Sequence, residues 1–355
     1  MATLILEDGS RFEGKLFGRR QPVTGEVVFA TGMCGYQEML TDPAYAGQIV
    51  CMTYPLIGNV GINDLDDESN GAKIAGMVVS ELCELPSNWQ MKKSLDSYLD
   101  EQGVTGICGV DTRALTRHLR TAGVMTGRIV DSEGTQEDVQ ACKDYQSENR
   151  VADVTCAKAY EIEGEGDVTL AVLDLGVKRG LLRYLAGKCA KIKVYPASTK
   201  AQEILDAGCD GVFVSGGPGN PMENPEIAAC VKKLMEEKPV MGVCLGHLMM
   251  AAASGCTIEK MRFGHHGSNQ PVKDLARGTC AVTGQSHGYV VSEQELPANV
   301  TVSHVNWNDR GVEGLRYAGT KAFSVQFTPG MSGGAFDTTY LYDDFFAMVR
   351  TNMTK

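Results

Sequence analysis

Nowhere in these 355 residues does an apolar run reach the roughly 18 to 20 residues needed to cross a bilayer. The start, MATLILEDGSRFEG, turns polar after Leu6 and lacks both a basic opening and a long apolar stretch, so it reads as a β-strand rather than a secretory signal. Positive charge is in short supply: 33 Lys and Arg stand against 44 Asp and Glu, a net charge of −11 and a pI near 5.1. That argues against binding nucleic acid or an anionic membrane through bulk charge. Twelve cysteines are present, but no two form a Cys-x-x-Cys pair, which argues against a zinc ribbon or a thioredoxin-like centre. Most are expected to be buried, reduced thiols behaving as small hydrophobes, and no metal site is expected. No internal repeat or low-complexity segment stands out. The expectation at this point is a soluble, cytoplasmic protein.

What is present is ordinary in bulk, 43% apolar and 22% charged, and the length suggests two or three domains. The acidic, glycine-rich segment EIEGEGD (161–167) reads as a linker between a domain over 1–160 and another over 168–355. In the first part, Asp8-Gly9 marks a hairpin turn between LILE and RFEG, and GEVVFAT and GQIVCMTYP read as strands. SLDSYLDEQG and DTRALTRHLRTAG carry apolar residues at helical spacing and end near glycine. This half is expected to be α+β. After the linker the rhythm becomes strand, helix, strand, helix: VTLAVLDLG, KRGLLRYLAGK, KIKVYPA, AQEILDAG, GVFVSGGPG, EIAACVKKLMEEK, PVMGVCLG and HLMMAAASG. Apolar strands alternating with amphipathic helices predict a doubly wound parallel sheet, so the whole chain is α/β. YLYDDFFAMVRTNM offers a closing helix.

The motif MGVCLGH (241–247) sits at one of these strand–helix junctions. Gly242 and Gly246 allow a sharp turn that lifts Cys244 to the tip of the strand, and the helix that follows favours thiolate. Leu245, next in sequence, can offer its N–H to an oxyanion. A second glycine-rich turn, SGGPGNP (215–221), ends the preceding strand and can face the same crevice. The competing reading is a pair of tight turns around one buried thiol.

Long stretches of the chain resemble the small subunit of carbamoyl phosphate synthetase. In the first half these are MCGYQEMLTDPAY, TYPLIGNVGIND and GVDTRALTRHLR; in the second, LDLGVKRGLLRYL, SGGPGNP, GVCLGH, FGHHGSNQPVKD and HGYVV. The resemblance implies an N-terminal domain specific to that subunit, followed by a class I glutamine amidotransferase domain. It implies that Cys244 is the nucleophile position, attacking the glutamine amide to form a thioester and release ammonia. The ammonia passes to a large subunit, which makes carbamoyl phosphate for pyrimidine and arginine synthesis. ATP and Mg belong to that large subunit, and no cofactor is expected in this chain.

The family's base and its orienting carboxylate lie in a motif of the form Gln-Gly-His-Pro-Glu. The matching stretch here is SVQFTPGMSGG, where Thr328 replaces the histidine and Gly330 the glutamate. None of the six histidines offers itself as a substitute: His247, His265, His266, His287 and His304 fall where the family does not use a base, and His118 lies in the other domain. On the substrate side, the family's serine is Ala44, its glutamine after the elbow is Leu248, and its asparagine before the His-Gly pair is Ser286. Gly217, Gly219, Leu245, Gly288 and Tyr289 remain, mainly as backbone. A pocket stripped of its hydrogen-bonding side chains binds its ligand poorly.

The expectation is therefore a small subunit that binds a large synthetase subunit while its own glutaminase is weak or lost. Two alternatives stand beside it: an active glutamine-hydrolysing subunit with an unrecognised base, and a non-catalytic paralogue that binds another partner or an effector.

Overall fold

The computed structural model describes residues 1–147, 149–330 and 336–354. The chain divides into two compact units, one of Met1–Glu148 with Arg262–Gly267, the other of Asn149–Met261 with Ser268–Lys355.

The first unit is built on a closed seven-stranded barrel. Around it run Ala2–Leu6, Arg11–Gly18, Thr105–Cys108, Gly76–Val78, Gln48–Met52, Val23–Ala30 and Met125–Val130, the last pairing back to the first. The Asp8-Gly9 hairpin forms as expected, with Gly9 at φ +88°. Alternation along each strand sorts side chains to two sides. Leu4, Val27, Ile49, Val78, Ile107 and Ile129 join one apolar cluster that draws on every strand, which is the barrel interior. Val28, Val50 and Met77 face outward into a second cluster completed by Leu95 and Leu99 of the helix Leu95–Gln102. That helix is capped by Ser94 and stopped by Gly103 at φ +74°; Thr112–Ala122 starts on the Asp111 cap and sends Leu115 and Leu119 to the interior cluster. The segment 262–267 is held by backbone bonds from Val124 to Arg262 (2.8 Å) and from Thr31 to His266 (3.0 Å).

The second unit carries the parallel sheet that the alternating pattern predicts. Five parallel strands lie in the order Cys189–Pro196, Val168–Asp174, Gly211–Val214, Val240–Val243 and Ala322–Val325. Beyond the last, Val312–Tyr317, Val300–Asn306, Ile258–Asp274 and Cys280–Val291 continue the sheet. The strands are apolar on both sides because both faces are covered. Ala171 and Leu173 pack with the helices Ala201–Asp206, Pro225–Glu237 and Leu245–Ala253; Leu170 and Val172 pack with Arg179–Ala186 and Tyr340–Met353. Among the described residues, no helix is long and apolar enough to cross a membrane.

Residues 161–163, expected in a linker, are instead part of this sheet. Tyr160–Glu163 pairs antiparallel with Cys189–Pro196 at its edge, and Lys191 lies 2.9 Å from Glu161 and 3.0 Å from Glu163. The acidic composition masked a strand whose charged side chains answer lysines on the neighbouring one.

The barrel interior leaves no spare volume at Gly127, where a Cβ would lie 2.4 Å from Val27 Cγ2 and 3.0 Å from Leu6 Cδ2. Gly127→Val is therefore expected to destabilise the protein by about 1–3 kcal/mol through overpacking, read as a lower urea midpoint with an unchanged slope. An unchanged midpoint would show that the interior is loose.

Candidate active site

The turn at Cys244 is made by what its neighbours lack. A Cβ on Gly242 would meet Met250 Sδ at 2.5 Å and Gly246 O at 2.8 Å, and one on Gly246 would meet Val214 O at 2.2 Å. With both flanks bare, the strand Val240–Val243 passes into the helix Leu245–Ala253 through one residue, and Cys244 takes φ +51°, ψ −113°. Such a conformation costs a non-glycine residue on the order of 1–3 kcal/mol and persists only where the surroundings impose it. Here they do: the Cys244 N–H donates to Val325 O (3.0 Å), Gly246 N–H to Ser215 O (3.0 Å) and Leu248 N–H to Cys244 O (3.1 Å).

The thiol donates to Ser286 O at 3.6 Å, on the strand that also carries Gly288 and Tyr289. On its other side lies the glycine turn. A Cβ on Gly216 would sit 3.3 Å from Cys244 Cβ; one on Gly217 would sit 2.0 Å from Leu175 O and 3.0 Å from Leu245 Cδ2. Gly219, two residues on, has φ +86°. Cys244, Leu245, Gly217 and Ser286 are thus gathered at one strand end, beside the partial positive charge of a helix start. Leu248 is buried at 2% exposure in the apolar cluster beneath the helix. Ala44 belongs to the first unit, in the turn Pro43–Tyr45, where its N–H donates to Asp42 Oδ1 at 3.0 Å.

Register places Thr328 and Gly330, the positions expected to depart from the family motif. Val243 pairs with Val325, so Gln326 and then Phe327 continue past the level of Cys244. Phe327 is fully buried, its ring edge-on to His304 at 5.7 Å. Thr328 follows, half-buried, its N–H donating to Gly284 O at 3.3 Å. Gly330 has φ +63°, and a Cβ there would meet Thr339 Cγ2 at 2.4 Å and Phe336 Cδ1 at 3.3 Å. A side chain at 330 is opposed both by the backbone and by the Thr339 methyl. The end of the motif, residues 331–334, lies outside the described residues.

The histidines are engaged elsewhere. His247, fully buried, shares the Ser324 hydroxyl with Tyr317 (2.8 Å each), and burial lowers its pKa to about 3. The ring nitrogens of His287 lie 2.8 Å from Tyr289 O and 2.8 Å from Gln285 Oε1. His304 meets Ser303 Oγ (2.9 Å) and Tyr340 OH (3.3 Å); burial lowers its pKa to about 4, against the opposing pull of Asp274. His265 and His266 belong to the first unit, although their motif sits late in the sequence. His266 packs against Tyr45 at 5.6 Å, and burial lowers its pKa to about 4. His118 lies 2.7 Å from Asp8, also in the first unit. Burial disfavours the charged imidazole, so His247, His266 and His304 are neutral at pH 7.

Two residues of this region escape any reading of the sequence. Gln326 is fully buried, and neither of its amide atoms has a partner among the described residues. Thr339 matters only because the fold brings it against Gly330, nine positions earlier, and no periodicity signals that contact.

Two outcomes are expected. Iodoacetamide labels the exposed Cys34 and Cys280 first, and Cys244, 6% exposed but placed at a strand tip beside a helix start, ahead of the fully buried thiols. Cys51 and Cys189, fully buried and pushed up to about 12 by that burial, react last. Peptide mapping in which Cys244 reacts no faster than Cys51 would refute a thiol presented at a strand tip. Separately, Gly330→Ala is expected to cost about 1–3 kcal/mol, and adding Thr339→Ala recovers part of it in urea unfolding. No loss in the single variant would show that the turn tolerates a side chain.

Two family models match the chain, and they meet the two architectures in turn. Residues 4–129 match the carbamoyl-phosphate synthase small chain, CPSase domain, and residues 171–348 match glutamine amidotransferase class-I. The chain is 44% identical over 353 residues to the carbamoyl phosphate synthase pyrimidine-specific small chain of Bacillus subtilis (strain 168), covering 98% of this chain and 96% of that one. It is 44% identical over 345 residues to the carbamoyl phosphate synthase small chain of Clostridium perfringens (strain 13 / Type A), covering 97% and 98%. The small chain of Bacillus caldolyticus is 44% identical over 350 residues, covering 98% and 96%. A barrel unit, a doubly wound unit with a cysteine elbow, and relatives matched end to end agree: the chain belongs to the carbamoyl phosphate synthase small-chain family.

Proposed function

We propose that this chain serves a carbamoyl phosphate synthase as its small chain, with the glutamine-hydrolysing step weak or lost. The observation that carries the reading is the pair of replacements at Thr328 and Gly330, with the Gly330 turn closed by Thr339. Attack by a thiol on a glutamine amide needs the S–H proton removed and a proton delivered to the departing ammonia. Thr328 has a hydroxyl that does neither efficiently at pH 7. The imidazole nearest in sequence to the thiol's acceptor, His287, is taken up by Tyr289 and Gln285. Losing acid–base assistance costs about 10²–10⁴ in rate, and losing the base of a comparable hydrolase roughly 10⁶. Leu248, buried among apolar neighbours, offers no hydrogen bond to an amino-acid head group, which supports weak glutamine binding.

The partner is the large synthetase chain, which holds ATP and Mg and draws on free ammonia. The product is carbamoyl phosphate for pyrimidine synthesis, as the name of the Bacillus subtilis relative suggests, or for arginine synthesis. The chain itself needs no cofactor.

Purified chain mixed with a cognate large chain is expected to make carbamoyl phosphate from ammonium chloride and hardly at all from glutamine. Equal rates from the two nitrogen sources would end the proposal. Thr328→His with Gly330→Glu restores little activity alone. Adding Thr339→Ala, Leu248→Gln and Ala44→Ser raises it further, because the turn must first be opened. If the two-residue change alone gave full glutaminase activity, Thr339 would have no part in the loss.

A further inference from the structure

We propose that the second unit holds a small-molecule site apart from the Cys244 turn, in the cavity between residues 149–157, the stretch 196–201 and the helix start at 224–230. Its ligand has an apolar body and one anionic head, a phosphate or a carboxylate.

The cavity follows from the winding of the sheet. The strand Val168–Asp174 lies between Cys189–Pro196 and Gly211–Val214. The helices that follow the two outer strands, Ala201–Asp206 and Pro225–Glu237, both pack on one face, with Ala171 and Leu173. The helix that follows the middle strand, Arg179–Ala186, packs on the other face, with Leu170 and Val172. Past the end of the middle strand, two helices therefore start with none between them. Such a reversal of strand order is where doubly wound sheets bind ligands. The gap measures about 780 Å³, within the roughly 300–1,000 Å³ of small-molecule pockets.

The walls are fixed before any ligand arrives. Thr155 Oγ1 donates to Asp174 O (2.6 Å) and accepts from the Ala197 N–H (2.9 Å), and the Cys156 N–H donates to Asp174 Oδ2 (2.7 Å). Asn149 Nδ2 donates to Asn224 Oδ1 at 2.6 Å, tying the first segment to the helix start. The Cys230 thiol donates to Thr199 O at 3.5 Å. A site built this way spends little on ordering itself when it binds.

The chemistry of the walls selects the ligand. Val151, Ala197, Ala201 and Ile227 are buried and give the cavity an apolar floor. Burial, helped by Asp174, pushes Cys156 up to about 12, and burial pushes Cys230 up to about 11. Both thiols therefore stay neutral, and the ligand is held without a covalent bond. At the rim stand Ser198, Thr199 and Lys200, whose side chains have no hydrogen-bond or ion-pair partner among the described residues. Two hydroxyls and one ammonium on consecutive residues suit a single anionic group, to which each can donate. Lys200 is the one basic residue of the wall, and Glu226, on the helix start, is the one acidic residue. The negative end of a ligand is thus drawn to the Lys200 side. None of Cys244, Thr328 and Gly330 lines the cavity, so the site does not depend on the fate of the glutaminase.

The experiment is a fluorescence titration of the intact chain with 8-anilinonaphthalene-1-sulfonate, an apolar body bearing one anionic head. Binding is expected to be saturable and one-to-one, and Lys200→Glu to weaken it by about tenfold or more. Ala152→Trp, which fills the cavity from an exposed position in its wall, is expected to abolish binding. Both variants should melt at the temperature of the unaltered chain. If Ala152→Trp melts lower, Lys200→Glu decides alone, since its exposed side chain has no partner to lose. Displacement of the probe by adenosine 5′-monophosphate assigns a phosphate head, displacement by indole-3-acetate a carboxylate head, and displacement by both a site that takes either. No binding of the probe, equal affinity in Lys200→Glu, retained binding in a folded Ala152→Trp, or displacement by neither compound would overturn the proposal.

Discussion

A chain that turns from a buried parallel strand into a buried helix through one residue must solve a packing problem before a chemical one. At Cys244 the solution is two missing side chains, Gly242 against Met250 and Gly246 against Val214, with backbone hydrogen bonds at Cys244 and Gly246 holding the turn in a positive-φ conformation. The position of the thiol, the approach of the Gly216-Gly217 turn and the run of the last parallel strand past the site all follow from that turn. None of these demands any chemistry of the thiol. The strain at Cys244 is imposed by the fold, whereas Thr328 and Gly330 lie beyond the end of the strand Ala322–Val325.

The residues past the strand end constrain one another. Phe327 fills space against His304, Gly330 adopts a backbone conformation that suits glycine, and Thr339 occupies the volume that a side chain at 330 would need. A side chain placed at 330 therefore meets Thr339 as well as an unfavourable backbone conformation.

Much of the second unit was legible in the sequence because its signals are local. VTLAVLDLG, GVFVSGGPG and PVMGVCLG each announce a buried strand ending at glycine, and YLYDDFFAMVRTNM matches the closing helix Tyr340–Met353 residue for residue. The barrel was not legible. Its closure depends on Met125–Val130 returning to pair with Ala2–Leu6, a contact that no spacing reveals. The same holds for residues 262–267, whose motif reads as part of the second half while their backbone bonds lie with Thr31 and Val124 of the first. At the site, Cys244, Leu245 and Gly217 were readable from turn chemistry. Thr339 and the unpartnered Gln326 were not, since their roles come from meeting across loops and strands.

The acidic segment at the sheet's edge has a consequence for how these molecules behave when crowded. An open parallel sheet exposes a row of unpaired backbone groups at each side, a template for strands of other copies. Here one side is closed by Tyr160–Glu163, only four residues long, with Glu161 and Glu163 projecting from it and Glu165 and Asp167 just beyond. Lysines of the adjacent strand neutralise the first two within the molecule. A second copy offering the same edge would set carboxylate against carboxylate with no lysine to spare. Edge-to-edge pairing of two copies is thereby disfavoured by the same residues that make the segment look, in sequence, like a linker.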